Sequence, residues 1–425
     1  MSARSTNSSS SIAGAEWLSW PGTVRVFEAL CAGDHTALAV GGAVRDTLLG
    51  RPVQDVDFAT DAPPERVMEL AQAAGLKAIP TGIRHGTVTV VADYRGFEVT
   101  TLRRDVETFG RHATVAFTED WVADASRRDF SINALYADAD GTVFDPLNAI
   151  ADIEKPHVRF IGDALARVAE DYLRILRFFR LNAELETEDF DTESLSACVR
   201  GRAGLHGLSG ERVAGELKRL LGAGGAVMSL RKMFDFGLLV EILHGAPNIS
   251  RFERLAAIEA ALDEEADAML RLGGIGVFVR EDAERLAATL RLSNVERDRL
   301  VMFARLPAVA EASDESELRR LVFRFGKDGA HDAALKSWAC SEKPASNVAW
   351  RKLVQRIARL PVPEFPLQGA DLVELGAAEG PAVGKILKQL EAQWLESGCT
   401  ESRKNLLAAA KELVLTGAER TSGRQ

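Results

Sequence analysis

Two textures of apolar spacing divide this 425-residue chain. Between residues 16 and 150, short β-rich or alternating runs are separated by Gly and Asp. They are LAVGG, DVDFA, TVTVVAD (87–93), GFEVTTL (96–102) and the pair ALYAD and TVFDP. Alternation, or a short apolar run bounded by turn residues, reads as strand. Asp61-Ala62-Pro63-Pro64-Glu65 opens a helix among them, with Asp61 as N-cap candidate and prolines suited to the first turn. Beyond about residue 156 the strand pattern stops. Residues 165–182, 209–222, 252–272, 281–292, 315–325 and 347–359 carry apolar side chains at helical spacing. The expectation is an α+β chain: a mixed α/β domain on a small sheet, then helices alone. The texture changes near Asp145-Pro146. Gly222-Ala223-Gly224-Gly225 reads as a hinge or a simple turn, and residues 361–366, rich in Pro, as a stiff linker. The expected parts are a Ser-rich disordered tail (1–15), a head (16–150) and helical segments 151–222, 223–360 and 361–425.

One strand run carries chemistry. In AVGGAVRDTLLGRPVQDVDFAT, side chains alternate faces, so Asp55 and Asp57 point the same way while Val56 and Phe58 enter a core. Their Cα atoms would lie roughly 6.5–7 Å apart, within reach of one hard cation. Mg²⁺ is usually held by one or two carboxylates plus substrate phosphates. The Gly41-Gly42 turn lets backbone N–H groups approach a triphosphate, and Arg45 adds a forked donor. Singly, a DxD is a solvated strand edge and a Gly-Gly a turn; together they read as a nucleotide–Mg²⁺ site for nucleotidyl transfer. No Gly-Lys-Ser/Thr follows and no GxGxxG is present, so P-loop and dinucleotide readings lose support. Glu98 lies opposite Phe97 and Val99. It joins the aspartates if its strand pairs beside DVDFA, and is otherwise an exposed strand charge.

Two further segments offer polar rows. In SRRDFSINAL, Arg128 suits a phosphate and Asp129 a sugar hydroxyl, or the two form a helix-start ion pair. In EDYLRILRFFR, Tyr172, Ile175, Leu176 and Phe179 form a buried face, with Glu170, Asp171, Arg174 and Arg177 opposite. Arg180 continues the row but drifts round the helix, because three residues fall short of a turn. Such a row presents an acceptor to the exocyclic amino group of C or A and donors to ring nitrogen or carbonyl oxygen. The plainer reading is an exposed helix with i, i+3 ion pairs.

Composition narrows the partners. A net charge of −10 argues against nonspecific nucleic-acid binding by the whole surface, while leaving room for local basic tracks. The four cysteines form no CxxC pair, so neither zinc nor a disulfide framework is expected. No apolar stretch reaches membrane-spanning length, and the start has no apolar signal core, although its Arg- and Ser-rich composition also resembles a transit peptide. A cytoplasmic protein without membrane contact is expected. His331-Asp332 is a lone doublet and reads as a helix-surface pair, not a metal site.

As an ordered set, GGAVRD…DVD, RRDFSINAL, Asp145-Pro146, EDYLRILRFFR, LSGERVAGELKRLL (208–221) and FPLQGADLVELGAAEGPAVGKIL (365–387) resemble the class II tRNA nucleotidyltransferase and bacterial poly(A) polymerase family. The match covers residues 35–225 and a C-terminal piece; residues 226–360 match only as generic helices. The resemblance implies a polymerase-β-like head followed by an all-α neck, body and tail. It implies that Asp55 and Asp57 bind two Mg²⁺ ions, assisted by Glu98, for attack by a primer 3′ hydroxyl and departure of pyrophosphate. Gly42 and Arg45 would hold the triphosphate, and Arg128 and Asp129 phosphate and ribose. Asp171, Arg174 and Arg177 would read the base in place of a template, with Arg180 completing the row. The implied partners are a tRNA acceptor arm, CTP and ATP. Full CCA addition is expected, because Arg103–Asp124 resembles the loop that CCA-adding members use to switch from C to A, and no long basic tail is seen. Alternatives are a poly(A) polymerase, CC-only or A-only addition, and an inactive RNA-binding homologue. The tRNA duplex would be held by shape and phosphate. Candidates are Lys218, Arg219, Arg351, Lys352, Lys385, Lys388 and the helix start after Gly380; each also reads as a solvated charge.

Overall fold

The computed structural model describes residues 10–109, 112–377 and 380–422. It divides into two compact units, Met1–His244 and Gly245–Gln425. The first holds a seven-stranded sheet built from β1 (Ala37–Val40), β2 (Asp57–Thr60), β3 (Lys77–Gly82), β4 (Thr87–Ala92), β5 (Arg95–Thr101), β8 (Tyr136–Ala137) and β9 (Val143–Phe144), in the order β3-β4-β5-β2-β1-β8-β9. A separate ribbon pairs β6 (Arg103–Phe109) with β7 (His112–Phe117). Among the described residues, only β2 and β5 run parallel, with Phe58 opposite Val99. Phe58 is fully buried and packs edge-on against Phe27 and Phe97, so it anchors the strand that begins in the DVD motif.

Helices α1 (Pro21–Cys31), α2 (Gly42–Leu48), α3 (Pro64–Ala73) and α4 (Trp121–Ser126) accompany these strands. The rest of the first unit is helical: α5 (Ala151–Glu154), α6 (Ala164–Glu170), α7 (Leu173–Glu184), α8 (Thr192–Gly201), α9 (Gly210–Gly222), α10 (Ala226–Asp235) and α11 (Leu238–Leu243). A column of aromatic rings joins the two textures. Phe130 stacks on Phe160 at 4.7 Å, and Phe160 on Phe178 of α7 at 5.9 Å. The RRDF segment is thereby fixed against the arginine-bearing helix.

The described residues of the second unit form helices and their connections: α12 (Ile249–Leu262), α13 (Ala268–Gly276), α14 (Arg280–Thr289), α15 (Asn294–Arg305), α16 (Glu315–Cys340), α17 (Val348–Arg359), α18 (Gly369–Glu374), α19 (Pro381–Glu396) and α20 (Arg403–Ser422). Trp338 stacks on Trp350, while Leu372, Leu390, Trp394 and Leu406 form a second core. Among the described residues, no helix is long and apolar enough to cross a membrane.

Several local expectations change. Strand β2 begins at Asp57, so Asp55 precedes the ladder. Strand β1 supplies pairing only to Val40↔Asp57, because Gly41 (φ 75°) then turns the chain into α2. The burial alternation still holds, with Val56 and Phe58 inside and both aspartates exposed. The helix expected over 165–182 is two helices. Asp171 is extended (φ −154°, ψ 107°), and its carboxylate accepts the Leu173 N–H at 3.1 Å to start α7. Glu170 and Asp171 therefore do not share a helix with Arg174 and Arg177. The helix expected over 252–272 is likewise broken, at Asp263 (φ 59°), and Asp267 caps its second half. The helix over 315–325 continues to Cys340 through a kink at Gly326 (φ 70°). Of the connection Arg103–Asp124, β6 pairs antiparallel with β7 and the start of α4 follows, while residues 110 and 111 lie outside the described residues. Most of the expected Ser-rich tail lies outside the described residues, but from Ser10 the chain is paired: Ile12 N–H donates to the Gly141 carbonyl at 2.8 Å.

Candidate active site

A cleft of about 850 Å³ lies in the first unit, lined by residues 41–43, 45–46, 51–55 and 57, by 127–129 and Asn133, by Asp171, and by side chains of α7 and α9. At one end Asp55 and Asp57 face it. Among the described residues neither carboxylate has an ion pair or side-chain hydrogen bond. Desolvation within the concave cleft, then the charges of Glu98 and Asp55, push the Asp57 carboxyl up to about 6 against the pull of Arg128. Glu98 thus flanks Asp57, as the parallel β2–β5 pairing requires, but it does not line the cleft. No group of three or more metal-ligating side chains occurs among the described residues. Two bare hard-oxygen donors in a like-charged setting fit a divalent cation that completes its shell from substrate and water.

Arg45 is nearly buried and already engaged. Its Nε and Nη2 donate to Asp46 at 2.9 and 3.0 Å, and Nη1 donates to Asn133 Oδ1 at 2.6 Å. Asn133 in turn donates to Asp129 Oδ1 at 3.2 Å. Arg45, expected to grip a triphosphate, thus also ties the Gly-Gly helix to the RRDFSIN segment while lining the cleft. Gly41, Gly42 and Ala43 present their backbone to the cleft beside it.

Arg128 is clasped by two partners. Nη2 donates to Asp124 Oδ2 at 3.0 Å and Nε to the Tyr136 hydroxyl at 3.1 Å; that hydroxyl donates to the same Asp124 oxygen at 2.9 Å. Arg127 bonds the other oxygen of Asp124. Burial works to raise the Asp124 carboxyl, but the charges of Arg128 and Arg127 outweigh it and hold the group below the usual range. Asp129 is similar. Arg177 Nε donates to its Oδ2 at 2.7 Å, and Nη2 lies in an ion pair 2.6 Å from the same oxygen. Burial is again the largest influence, yet Arg177 and the Asn133 bond leave the carboxyl depressed.

Asp171 accepts from Arg212 Nη2 at 2.6 Å as well as from Leu173 N–H, which fixes the orientation of its carboxylate at the start of α7. Arg174 donates to Glu170 and to the Arg167 carbonyl at 2.9 Å. Arg180 is buried and held by Glu216 at 2.6 Å and Glu184 at 2.7 Å, so it orders the row from behind. The site therefore gathers Gly42, Arg45, Asp55, Asp57, Arg128, Asp129, Asp171, Arg174, Arg177 and Arg180, with Arg219 on its lining. Lys218 of α9 and Lys385 and Lys388, exposed on α19, are not on that lining, nor are the exposed Arg351 and Lys352 of α17.

Sequence reasoning missed Tyr136, Asn133 and Arg212. Tyr136 and Asn133 stand in SINALYAD among apolar neighbours, and Arg212 stands in the quoted neck segment. A polar residue inside an apolar run was the available signal. The charge balance also separates Arg51. Arg45, Arg127, Arg128, Arg174, Arg177, Arg180 and Arg212 each pair with a carboxylate. The side chains of Arg51 and Arg219 have no such partner among the described residues.

Residues 37–159 match the model of the poly A polymerase head domain, and residues 189–252 that of the probable RNA and SrmB-binding site of polymerase A. The mitochondrial CCA tRNA nucleotidyltransferase 1 of Mus musculus is 35% identical over 384 residues, covering 89% of this chain and 87% of that protein. The chain belongs to the CCA tRNA nucleotidyltransferase family. Another member, the CCA-adding enzyme of Limosilactobacillus fermentum, is 28% identical over 89% of this chain and 93% of its own. Among solved structures of CCA tRNA nucleotidyltransferases, the Bacillus stearothermophilus CCA-adding enzyme in complex with CTP is similar to this chain. It aligns with a TM-score of 0.72 at 28% identity, over 94% of this chain and 98% of that one.

Proposed function

We propose that this chain adds or repairs the 3′-terminal CCA of tRNA from CTP and ATP, without a nucleic-acid template. One arrangement supports the reading above all. A single cleft holds two bare carboxylates at one end and, on its lining, a row of arginine and aspartate side chains already locked by partners of the chain. The relative bound to CTP and the relatives named for CCA addition point the same way.

Asp55 and Asp57 would hold divalent metal, Mg²⁺ in this proposal, which supplies Lewis acidity to the primer 3′ hydroxyl and the departing pyrophosphate. Gly42 offers backbone N–H to the triphosphate. Arg128, oriented by Asp124 and Tyr136, faces its phosphates, while Asp129 reaches ribose. Asp171 keeps acceptor capacity beyond its bonds to Arg212 and Leu173, and takes the exocyclic amino group of C or A. Arg174 and Arg177 donate to ring nitrogen or carbonyl oxygen. Each is steadied by a carboxylate, so little freedom is lost when a base arrives. Lys218, Arg219, Lys385 and Lys388 are the proposed phosphate contacts to the acceptor arm.

The test is extension of tRNA truncated before its CCA, with Mg²⁺ and CTP, ATP or both. Two added residues with CTP alone and three with both are expected. A long ladder with ATP alone would make the chain a poly(A) polymerase. Intact tRNA binding without extension under any condition would make it an inactive homologue.

A further inference from the structure

On the substrates proposed above, which both carry phosphate, we infer that Arg51 is a phosphate-binding residue of the cleft. Every other arginine on the lining except Arg219 is neutralised by a carboxylate of the chain. Arg219 is exposed in the last turn of α9, where an unpaired arginine is ordinary and suits the helix dipole. Arg51 differs, being half-buried on the concave surface. Its guanidinium makes no ion pair even with Asp55 or Asp57 on the same short segment.

The backbone holds Arg51 in place. Its N–H donates to the Asp46 carbonyl at 2.8 Å, and Gly50 (φ 67°) makes the turn out of α2. Pro52 follows, fixing its own φ and restricting Arg51 to extended geometry. A forked donor set is thus held beside the Asp55 end with its charge unused. A phosphate is the group whose geometry matches that fork. It can come from the polyphosphate of the incoming nucleotide or from the 3′-terminal phosphodiester of the RNA primer.

The experiment uses the full chain with Arg51→Gln and Arg51→Lys. Affinity for CTP and for tRNA lacking its CCA is titrated separately, followed by steady-state kinetics. Arg51→Gln should weaken one of the two by about tenfold or more, and Arg51→Lys should restore part of it. If the phosphate belongs to the nucleotide, KM for CTP and ATP rise together. If it belongs to RNA, tRNA affinity falls and its log–log salt slope flattens by about 0.7–0.9. Both affinities within twofold of the unchanged chain would overturn the inference, even with a lower kcat. So would loss of both affinities with a lowered melting temperature, which would make Arg51 structural. A chain that binds CTP but extends no tRNA would defeat the proposed function, while the titrations still decide Arg51.

Discussion

Asp57 and Asp129 are two aspartates of one cleft in opposite electrostatic states. Asp57 faces Glu98 and Asp55, lacks a bonded cation and has its carboxyl pushed up to about 6. Asp129 accepts from Arg177, Asn133 and the Phe130 N–H, and its carboxyl stays low although it is partly buried. The difference separates two kinds of site. A charge left without a partner costs stability and persists where something from outside supplies the partner. A charge met inside the chain has its orientation set before any ligand arrives.

The largest effect should come from the bare end. Asp55→Asn with Asp57→Asn is expected to reduce nucleotide addition on the order of a thousandfold, since metal-assisted charge stabilisation is worth several kcal/mol. The melting temperature should stay level or rise, because like charges are removed. Single-turnover extension and a thermal melt on one preparation check both. A drop in melting temperature would show the aspartates holding the fold, and the comparison with Asp129 would collapse.

The paired end should behave the other way. Arg177→Ala leaves Asp129 without its bonded cation, holding only the Asn133 and Phe130 N–H donors, and is expected to cost about 1–3 kcal/mol of stability. Asp129→Asn tests the same pair through pH. The folded carboxyl lies below its ordinary 3.8, so its contribution is present above that value and lost as pH falls toward the folded one. The unchanged chain should therefore lose stability more steeply below about pH 4 than Asp129→Asn does. Denaturant melts across pH 2.5–6 (a range chosen to bracket roughly that value) read this directly, and parallel curves would remove the pair's electrostatic role.

The bare end was the more legible in sequence. Alternation placed Val56 and Phe58 inside and both aspartates outside, since a strand's period is local. The paired end was half legible. The row of arginines was visible, but the break at Asp171 was not, because it depends on distant groups. Tyr172 occupies the space over Gly204, where an added Cβ would fall 2.2 Å from its ring. Arg212, which orients Asp171, lies 41 residues further along the chain. Tyr136 hides within an apolar strand, where nothing local marks its hydroxyl as the clasp of Arg128. Strand β3 was missed because KAIPTG is an exposed edge with little apolar pattern.

The smallest expected effect asks what steadies the bare end, if its carboxylates do not. Trp17 is buried, and its indole N–H donates to Thr47 Oγ1 at 2.8 Å. Thr47 Oγ1 donates to the Ala43 carbonyl at 2.7 Å, so Trp17 braces α2 from outside the cleft. Trp17→Phe should keep most of the apolar packing, lose that bond and cost about 1 kcal/mol. Thr47→Val should cost a similar amount, and the two together should fall short of their sum by about 0.5 kcal/mol or more, since they share one interaction. Trp17→Phe combined with Asp129→Asn should instead add to within about 0.5 kcal/mol, because the pairs share no partner. Strong coupling there would mean that the two ends of the cleft are held by one network through Arg45 and Asn133, and that their opposite charge states are set jointly.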